Sequence, residues 1–215
     1  MPEWITPRQF HESAGVDDWR VLATGVSAHF RTGSFDAGVD LLEAIGELAA
    51  AAHDPDVDLR SSGVTVRLMA DEQHGLSRRD ADLARDISTA ARRLGAAADP
   101  TAVQDVQVGV DALDIPAVRA FWRAVLGYRE VGDEDLLDPY ARGPSVWFQK
   151  MDAPRPERNR IHLDVSVPHD QAEARVAAAL AAGGRLVTAG HAPSWWVLAD
   201  AEGNEVCVTT WMGRD

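Results

Sequence analysis

A seven-residue break, Gly95-Ala-Ala-Ala-Asp-Pro-Thr101, divides the 215-residue sequence into two nearly equal halves. It follows an amphipathic helical pattern, lacks periodicity of its own, and joins a helix-terminating glycine to a proline. Either half is long enough to enclose a core. We therefore expect two domains, residues 1–96 and 104–215. The single cysteine, Cys207, cannot close an internal disulfide, which points to a reducing, cytoplasmic setting. Met1-Pro-Glu-Trp-Ile-Thr6 has neither a basic start nor an apolar run, so no secretory signal is expected. No apolar stretch approaches the roughly 18 residues that a membrane span needs. The net charge of −13 is shared evenly, with 10 Lys/Arg against 17 Asp/Glu up to residue 100 and 11 against 17 beyond it. Both halves would repel a phosphate backbone, so neither nucleic acid nor a membrane is an expected partner.

The first half reads as helix, two strands, helix, two strands, helix. Thr6-Pro7 caps a short helix running to about Ser13. Trp19–Thr24 and Ser27–Arg31 read as one strand pair, and Val57–Leu59 and Val64–Met69 as a second. Between the pairs, Ser34 caps a long helix to about Ala52 with Phe35, Val39, Leu42 and Ile45 at helical spacing. Ser77-Arg-Arg-Asp80 opens a last helix carrying Leu83, Ile87 and Leu94. Strand pairs separated by helices predict an α+β domain, an antiparallel sheet with helices on one face.

The second half repeats itself. Val106–Val110 is a strand, Pro116–Leu126 a helix ended by Gly127, and strands follow near Tyr128–Val131 and Val146–Met151. The pattern restarts with Ile161–Val167, a helix over His169–Ala182, and strands near Leu186, Trp195–Leu198 and Glu205–Thr210. Tandem βαβββ modules are the expectation. Strand alternation sets Val106, Val108 and Val110 against Gln107, and Ile161, Leu163 and Val165 against His162. By the same rule Val206 and Val208 oppose Cys207, and Gln149 shares a face with Trp147. Gln107, Gln149, His162 and Cys207 are thus predicted to line one concave face. Five of the seven tryptophans lie in this half, which suits a flat or apolar ligand.

His53-Asp54-Pro55-Asp56, the strand Val64–Met69, and His74-Gly-Leu-Ser-Arg-Arg-Asp80 together resemble the pterin-4a-carbinolamine dehydratase family over about residues 4–94. That family dehydrates a hydroxylated tetrahydropterin by acid–base proton transfer through a His-His-Pro turn and a third histidine. The resemblance assigns proton exchange to His53, Asp54 and Asp71, with Pro55 and His74 beside the substrate. Asp54 and Asp71 stand where the family has histidines. Val57 replaces its tryptophan, Ala49 its glutamate, and His74 one of its glycines. The second half resembles the glyoxalase/bleomycin-resistance, or vicinal oxygen chelate, family over about residues 104–211. Its opening (Gln107–Asp114, Phe121-Trp122, Leu126-Gly127-Tyr128), Arg160–Val165 and the closing Asp200-Ala-Glu-Gly-Asn-Glu-Val-Cys-Val208 carry that likeness.

Metal-dependent members of the second family place ligands at the positions of Gln107, Gln149, His162 and Cys207. Two amides, one imidazole and a thiol in place of the final glutamate form a weak set for a divalent ion, although a thiolate attracts zinc. No metal or other cofactor is expected. Gln107, Trp147, Gln149, His162 and Cys207 are read instead as lining a small-molecule pocket. Two functions stay open. One is a hydro-lyase handling a pterin or another heterocycle. The other is a non-catalytic binding or sequestration protein that uses the metal-free cup, with the first domain as a dimerisation module. A homodimer is expected in either case.

Overall fold

The computed structural model describes residues 3–50, 55–71, 74–154, 162–210 and 212. It divides into two compact units, Met1–Asp105 and Val106–Asp215. None of its helices is long and apolar enough to cross a membrane.

In the first unit β1 (Trp4–Ile5) and α1 (Pro7–His11) lead into β2 (Arg20–Leu22) and β3 (Gly25–Arg31). Then come α2 (Phe35–Ala49), β4 (Asp56–Arg60), β5 (Gly63–Met69), β6 (Leu76–Ser77), α3 (Arg78–Arg93) and β7 (Ala97–Ala98). The main sheet has the order β2-β3-β5-β4, all antiparallel, and β7 pairs with the end of β3. The stretch after Gly95 therefore adds a short strand to this sheet. Val26, Ala28 and Phe30 of β3 and Val64, Val66 and Leu68 of β5 are buried, the alternating face of each strand. Trp19 is 1% exposed and donates its indole N–H to the Ala84 carbonyl (3.0 Å) and Ser88 Oγ (3.1 Å) on α3.

Local chemistry sets the helix starts. Thr6 Oγ1 accepts from Gln9 N–H (3.2 Å) while Gln9 Oε1 accepts from Thr6 N–H (2.8 Å). Asp80 Oδ2 accepts from both the backbone and the hydroxyl of Ser77, at 2.6 and 2.7 Å. Helix α2 differs from its predicted apolar stripe. Its buried residues are Gly38, Leu41, Ile45 and Ala49, whereas Phe35 and Leu42 are 54% and 37% exposed. Gly38 accounts for the rotation, because a Cβ there would lie 2.4 Å from Leu59 Cδ1. The helix closes on the sheet through its glycine and turns Phe35 outward. Leu94, expected on the core face of α3, is the C-cap residue and 45% exposed.

The second unit holds β8 (Gln107–Ala112), α4 (Ile115–Leu126), β9 (Arg129–Val131), β10 (Asp135–Leu137) and β11 (Ser145–Lys150). It repeats with β12 (Leu163–Ser166), α5 (Ala172–Ala181), β13 (Arg185–His191), β14 (Trp195–Ala199) and β15 (Glu205–Thr209). The two sheets, β8-β11-β10-β9 and β12-β15-β14-β13, share one plan. In each the first and last strands of the module pair in parallel and the other pairs are antiparallel. β10 has no counterpart in the strands expected from sequence, and His169–Gln171 forms a 3-10 turn ahead of α5. Val110, Ala112, Phe121, Trp122, Val146, Phe148, Leu198, Val206 and Val208 belong to one core cluster that draws on both modules.

A buried carboxylate ties that core to its last hairpin. Asp200 is 0% exposed; its Oδ1 accepts from the backbone N–H of Glu202 (3.0 Å) and Asn204 (2.9 Å). Its Oδ2 accepts from Asn204 Nδ2 (2.7 Å) and from the Trp122 indole N–H on α4 (3.0 Å). In the same turn the Glu202 carboxylate accepts from the backbone of Leu113 and Asp114, just ahead of α4. Removing the Asp200 side chain strands the buried Trp122 indole N–H and three part-buried donors of the turn. Asp200→Ala is expected to lower stability by about 2–4 kcal/mol. Denaturant unfolding of the full chain checks this, and a loss below about 1 kcal/mol contradicts the anchoring role.

Candidate functional site

The polar cluster of the first unit forms where β5 ends. Beyond Met69, Asp71 and Gly75 close on each other. Asp71 N–H donates to the Gly75 carbonyl (2.9 Å), and Gly75 N–H returns the bond to Asp71 (2.8 Å). Gly75 sits at φ 81°, a conformation in which a side chain would be strained. The tight turn brings His74 back over Asp71. Asp71 Oδ1 accepts from the backbone N–H of His74 at 3.0 Å and meets its ring Nδ1 at 2.8 Å. Both side chains are about half exposed, 48% and 49%. β1 pairs with β6 in the register Trp4↔Ser77 and Ile5↔Leu76, which carries Trp4 to the same turn. The Trp4 and His74 rings stack with centroids 4.5 Å apart and planes 10° from parallel.

This arrangement has a definite chemical sense. A carboxylate at Nδ1 fixes the neutral imidazole with its proton on Nδ1, leaving Nε2 as the basic atom. The arrangement is that of a base oriented by an acidic partner. Of the sequence-derived residues, Asp71 and His74 are brought together. His53 and Asp54 lie outside the described residues. Pro55 immediately precedes β4, half-buried. Trp4 was missed by sequence reasoning, because only a pairing across more than seventy positions brings it here.

In the second unit Gln107, Asp111, Trp147 and Gln149 lie on the strand faces opposite the buried Val110, Val146 and Phe148. In the parallel pair β8/β11 the register sets Ser145 opposite Gln107, Trp147 opposite Gly109 and Gln149 opposite Asp111. Gln107 Nε2 donates to Ser145 Oγ at 3.0 Å. Trp147 lies across Gly109, where a Cβ would come within 3.2 Å of the indole, so the missing side chain makes room for a flat aromatic floor. Gln149 and Asp111 line a polar cleft of about 250 Å³ with Lys150, Met151, Asp152 and Ala153. In the second module Trp196 packs against the core. Trp195, one residue away on the opposite face, stacks on His191 with centroids 4.2 Å apart.

His162 and Cys207 also meet, together with a residue that sequence reasoning passed over. The register of β12 and β15 sets Asp164 directly opposite Cys207, and His162 precedes Asp164 by two positions on the same face. Imidazole nitrogen, carboxylate oxygen and sulfur all lie within 4.8 Å of one another. His162 Nε2 is 3.6 Å from Asp164 Oδ1. Cys207 is buried, and His162 and Asp164 are half or more exposed. As a donor set this suits a thiophilic divalent ion such as zinc, and does not suit magnesium or calcium, which require mostly oxygen. Alternation was the available signal, since it assigns Asp164 to the face of His162.

Family models match both units: "Pterin 4 alpha carbinolamine dehydratase" over residues 4–90 and "Glyoxalase-like domain" over residues 107–209. Two relatives share the name "Putative pterin-4-alpha-carbinolamine dehydratase". The one from Nocardia farcinica (strain IFM 10152) is 38% identical over 78 residues, covering 36% of this chain and 82% of the relative. The one from Cyanothece sp. (strain PCC 7425 / ATCC 29141) is 33% identical over 94 residues, covering 43% and 97%. Among solved structures, a glyoxalase/bleomycin resistance protein/dioxygenase family enzyme from Burkholderia phytofirmans PsJN is 23% identical with a TM-score of 0.40, covering 48% of this chain and 95% of that one. A glyoxalase-related enzyme from Fulvimarina pelagi is 17% identical with a TM-score of 0.41, covering 50% and 87%. The chain belongs to the pterin-4a-carbinolamine dehydratase family through its first domain, to which a glyoxalase-like domain is joined.

Proposed function

We propose that the first domain is a hydro-lyase acting on a hydroxylated tetrahydropterin, with His74 and Asp71 as its proton-transfer pair. The observation that carries this reading is the 2.8 Å contact between Asp71 Oδ1 and His74 Nδ1, with the imidazole stacked on Trp4. Loss of water from such a substrate needs one proton removed from a ring nitrogen and one delivered to the departing hydroxyl. An imidazole whose Nε2 is free for exchange performs both transfers in turn. It takes the ring proton as the C–O bond weakens, is held as imidazolium against Asp71, and returns a proton to the leaving oxygen. The pair regains its starting state and one water is released. His53 and Asp54 are proposed as further proton-exchange groups of the same site, and Pro55 as part of its wall.

The second reading, ligand sequestration in the glyoxalase-like domain, draws on Trp147 over Gly109 and on the polar groups of Gln107 and Gln149. The working protein is proposed to be a cytoplasmic homodimer. In support, α2 turns Phe35 and Leu42, two turns apart on one side of the helix, outward.

The lyase assay follows dehydration of a freshly generated 4a-hydroxytetrahydropterin. His74→Ala is expected to lower kcat/KM by about 10²–10⁴-fold. Asp71→Asn should produce a smaller loss, because the imidazole stays while its orienting charge is removed. Equal rates for wild type and His74→Ala overturn the assignment. An inert wild type that nevertheless binds a pterin in the second domain transfers the function to sequestration. For the dimer, Leu42→Glu is expected to give a monomer by size-exclusion chromatography with light scattering. A monomeric wild type rejects it.

A further inference from the structure

The cleft at the end of the β8/β11 pair plays no part in the proposed dehydration, and its lining is selective. Asp111, Gln149, Lys150 and Asp152 border about 250 Å³ of space there. Trp147 stands two positions before Gln149, on the same face of β11. We propose that Trp147, Asp111 and Gln149 bind a flat two-ring heterocycle by its 2-amino-4-oxopyrimidine edge, the edge that pterins and guanine share. The site gives a ligand class to the sequestration role proposed for the second domain. It rests on that role and is independent of dehydration in the first domain.

A stacking platform is built into the strand pair. A Cβ at Gly109 would lie 3.2 Å from Cε2, Cζ2 and Nε1 of Trp147 alike. Equal distances to three adjacent ring atoms mean that the indole presents its face to the glycine. Trp147 is half-buried, so its other face is partly accessible. A flat ring stacks there in the offset manner that aromatic pairs prefer.

The register decides which edge of that ring is read. Gln149 lies directly opposite Asp111, two residues on from the Trp147–Gly109 pair. That step is about 6.7 Å along the strands, a distance that a two-ring ligand spans from the indole. An ionised carboxylate accepts only, through two oxygens with about four lone-pair sites. Its fork matches two parallel N–H donors, as it does in pairing with a guanidinium. The N3–H and 2-amino N–H of a 2-amino-4-oxopyrimidine are such a pair, and they fall to Asp111. The 4-oxo oxygen is next along the edge, and the Gln149 amide supplies its donor.

Charge and backbone order agree with this edge. Two carboxylates, Asp111 and Asp152, outweigh the Lys150 ammonium, which donates to the Leu113 carbonyl. A lining of that sign favours donor-rich ligands and opposes anionic ones. Met151 N–H donates to the Ala112 carbonyl at 2.9 Å, which carries the strand pairing past Gln149. Val110 and Phe148 are buried on the other face, so a one-residue slip would turn them out of the core.

The test follows the indole N–H resonance of Trp147 by NMR in the ¹⁵N-labelled full chain, identified by its loss in Trp147→Phe. Pterin and guanosine carry the proposed edge. Lumazine keeps the two rings of pterin but has oxygen in place of the 2-amino group. Pterin or guanosine is expected to shift the resonance saturably, and the tighter of the two names the source of the ring. Lumazine should bind at least about tenfold more weakly than pterin. Asp111→Asn is expected to weaken binding by about 10–150-fold. Gln149→Ala, at an exposed position, should cost about 2–10-fold and serves if Asp111→Asn does not fold. A resonance indifferent to both pterin and guanosine overturns the proposal, as does wild-type affinity in either variant. Lumazine binding as tightly as pterin also overturns it, yet leaves sequestration of a flat ring by the second domain standing. Because the resonance belongs to the second domain, the outcome does not depend on dehydration in the first.

Discussion

Strand alternation under a closed face governs where chemistry can occur in this protein. Helices cover one side of each sheet and take every second residue into the core, as with Val26, Ala28 and Phe30 in β3 or Val206 and Val208 in β15. Polar residues are thereby confined to the opposite face or to strand ends. In the second domain alternation sets Gln107, Trp147 and Gln149 on one face of the β8/β11 pair, and Asp164 beside Cys207 on one face of the β12/β15 pair. Apolar packing on the covered face holds the register that sets these positions.

The first domain places its chemistry by a different device. Its candidate site lies in the turn that follows β5, where a closed ring of backbone hydrogen bonds between Asp71 and Gly75 orients the His74 ring. Backbone order continues immediately on both sides, in β5 and in the capping box that opens α3. Trp4, delivered by the short β1–β6 pairing, gives the imidazole a flat neighbour. An exposed acid–base pair of this kind costs the core nothing, because no charge is buried to build it.

Much of this was legible in the sequence. Apolar spacing and cap residues identified α1, α3 and α4 and the strands under them, and the two family resemblances agree with the matched segments. The helical stripe of α2 was misread because spacing alone cannot say which of two apolar rows a glycine will draw to the sheet. Gly38 decides it by admitting Leu59. For the sites, alternation placed His162 and Cys207 but was not carried through to Asp164. The sequence places His74 only beside the substrate, because its pairing with Asp71 comes from the turn that folds it back, and Trp4 carries no local signal.

The central claim is that a pterin meets the imidazole of His74. Titrating the ¹⁵N-labelled full chain with a stable dihydropterin, and recording the histidine ring nitrogens by NMR, tests it most directly. The account predicts that free His74 keeps its proton on Nδ1, and that Nε2 is the resonance that moves on binding. A His74 ring that is indifferent to saturating pterin, or that carries its proton on Nε2 in the free protein, would contradict it.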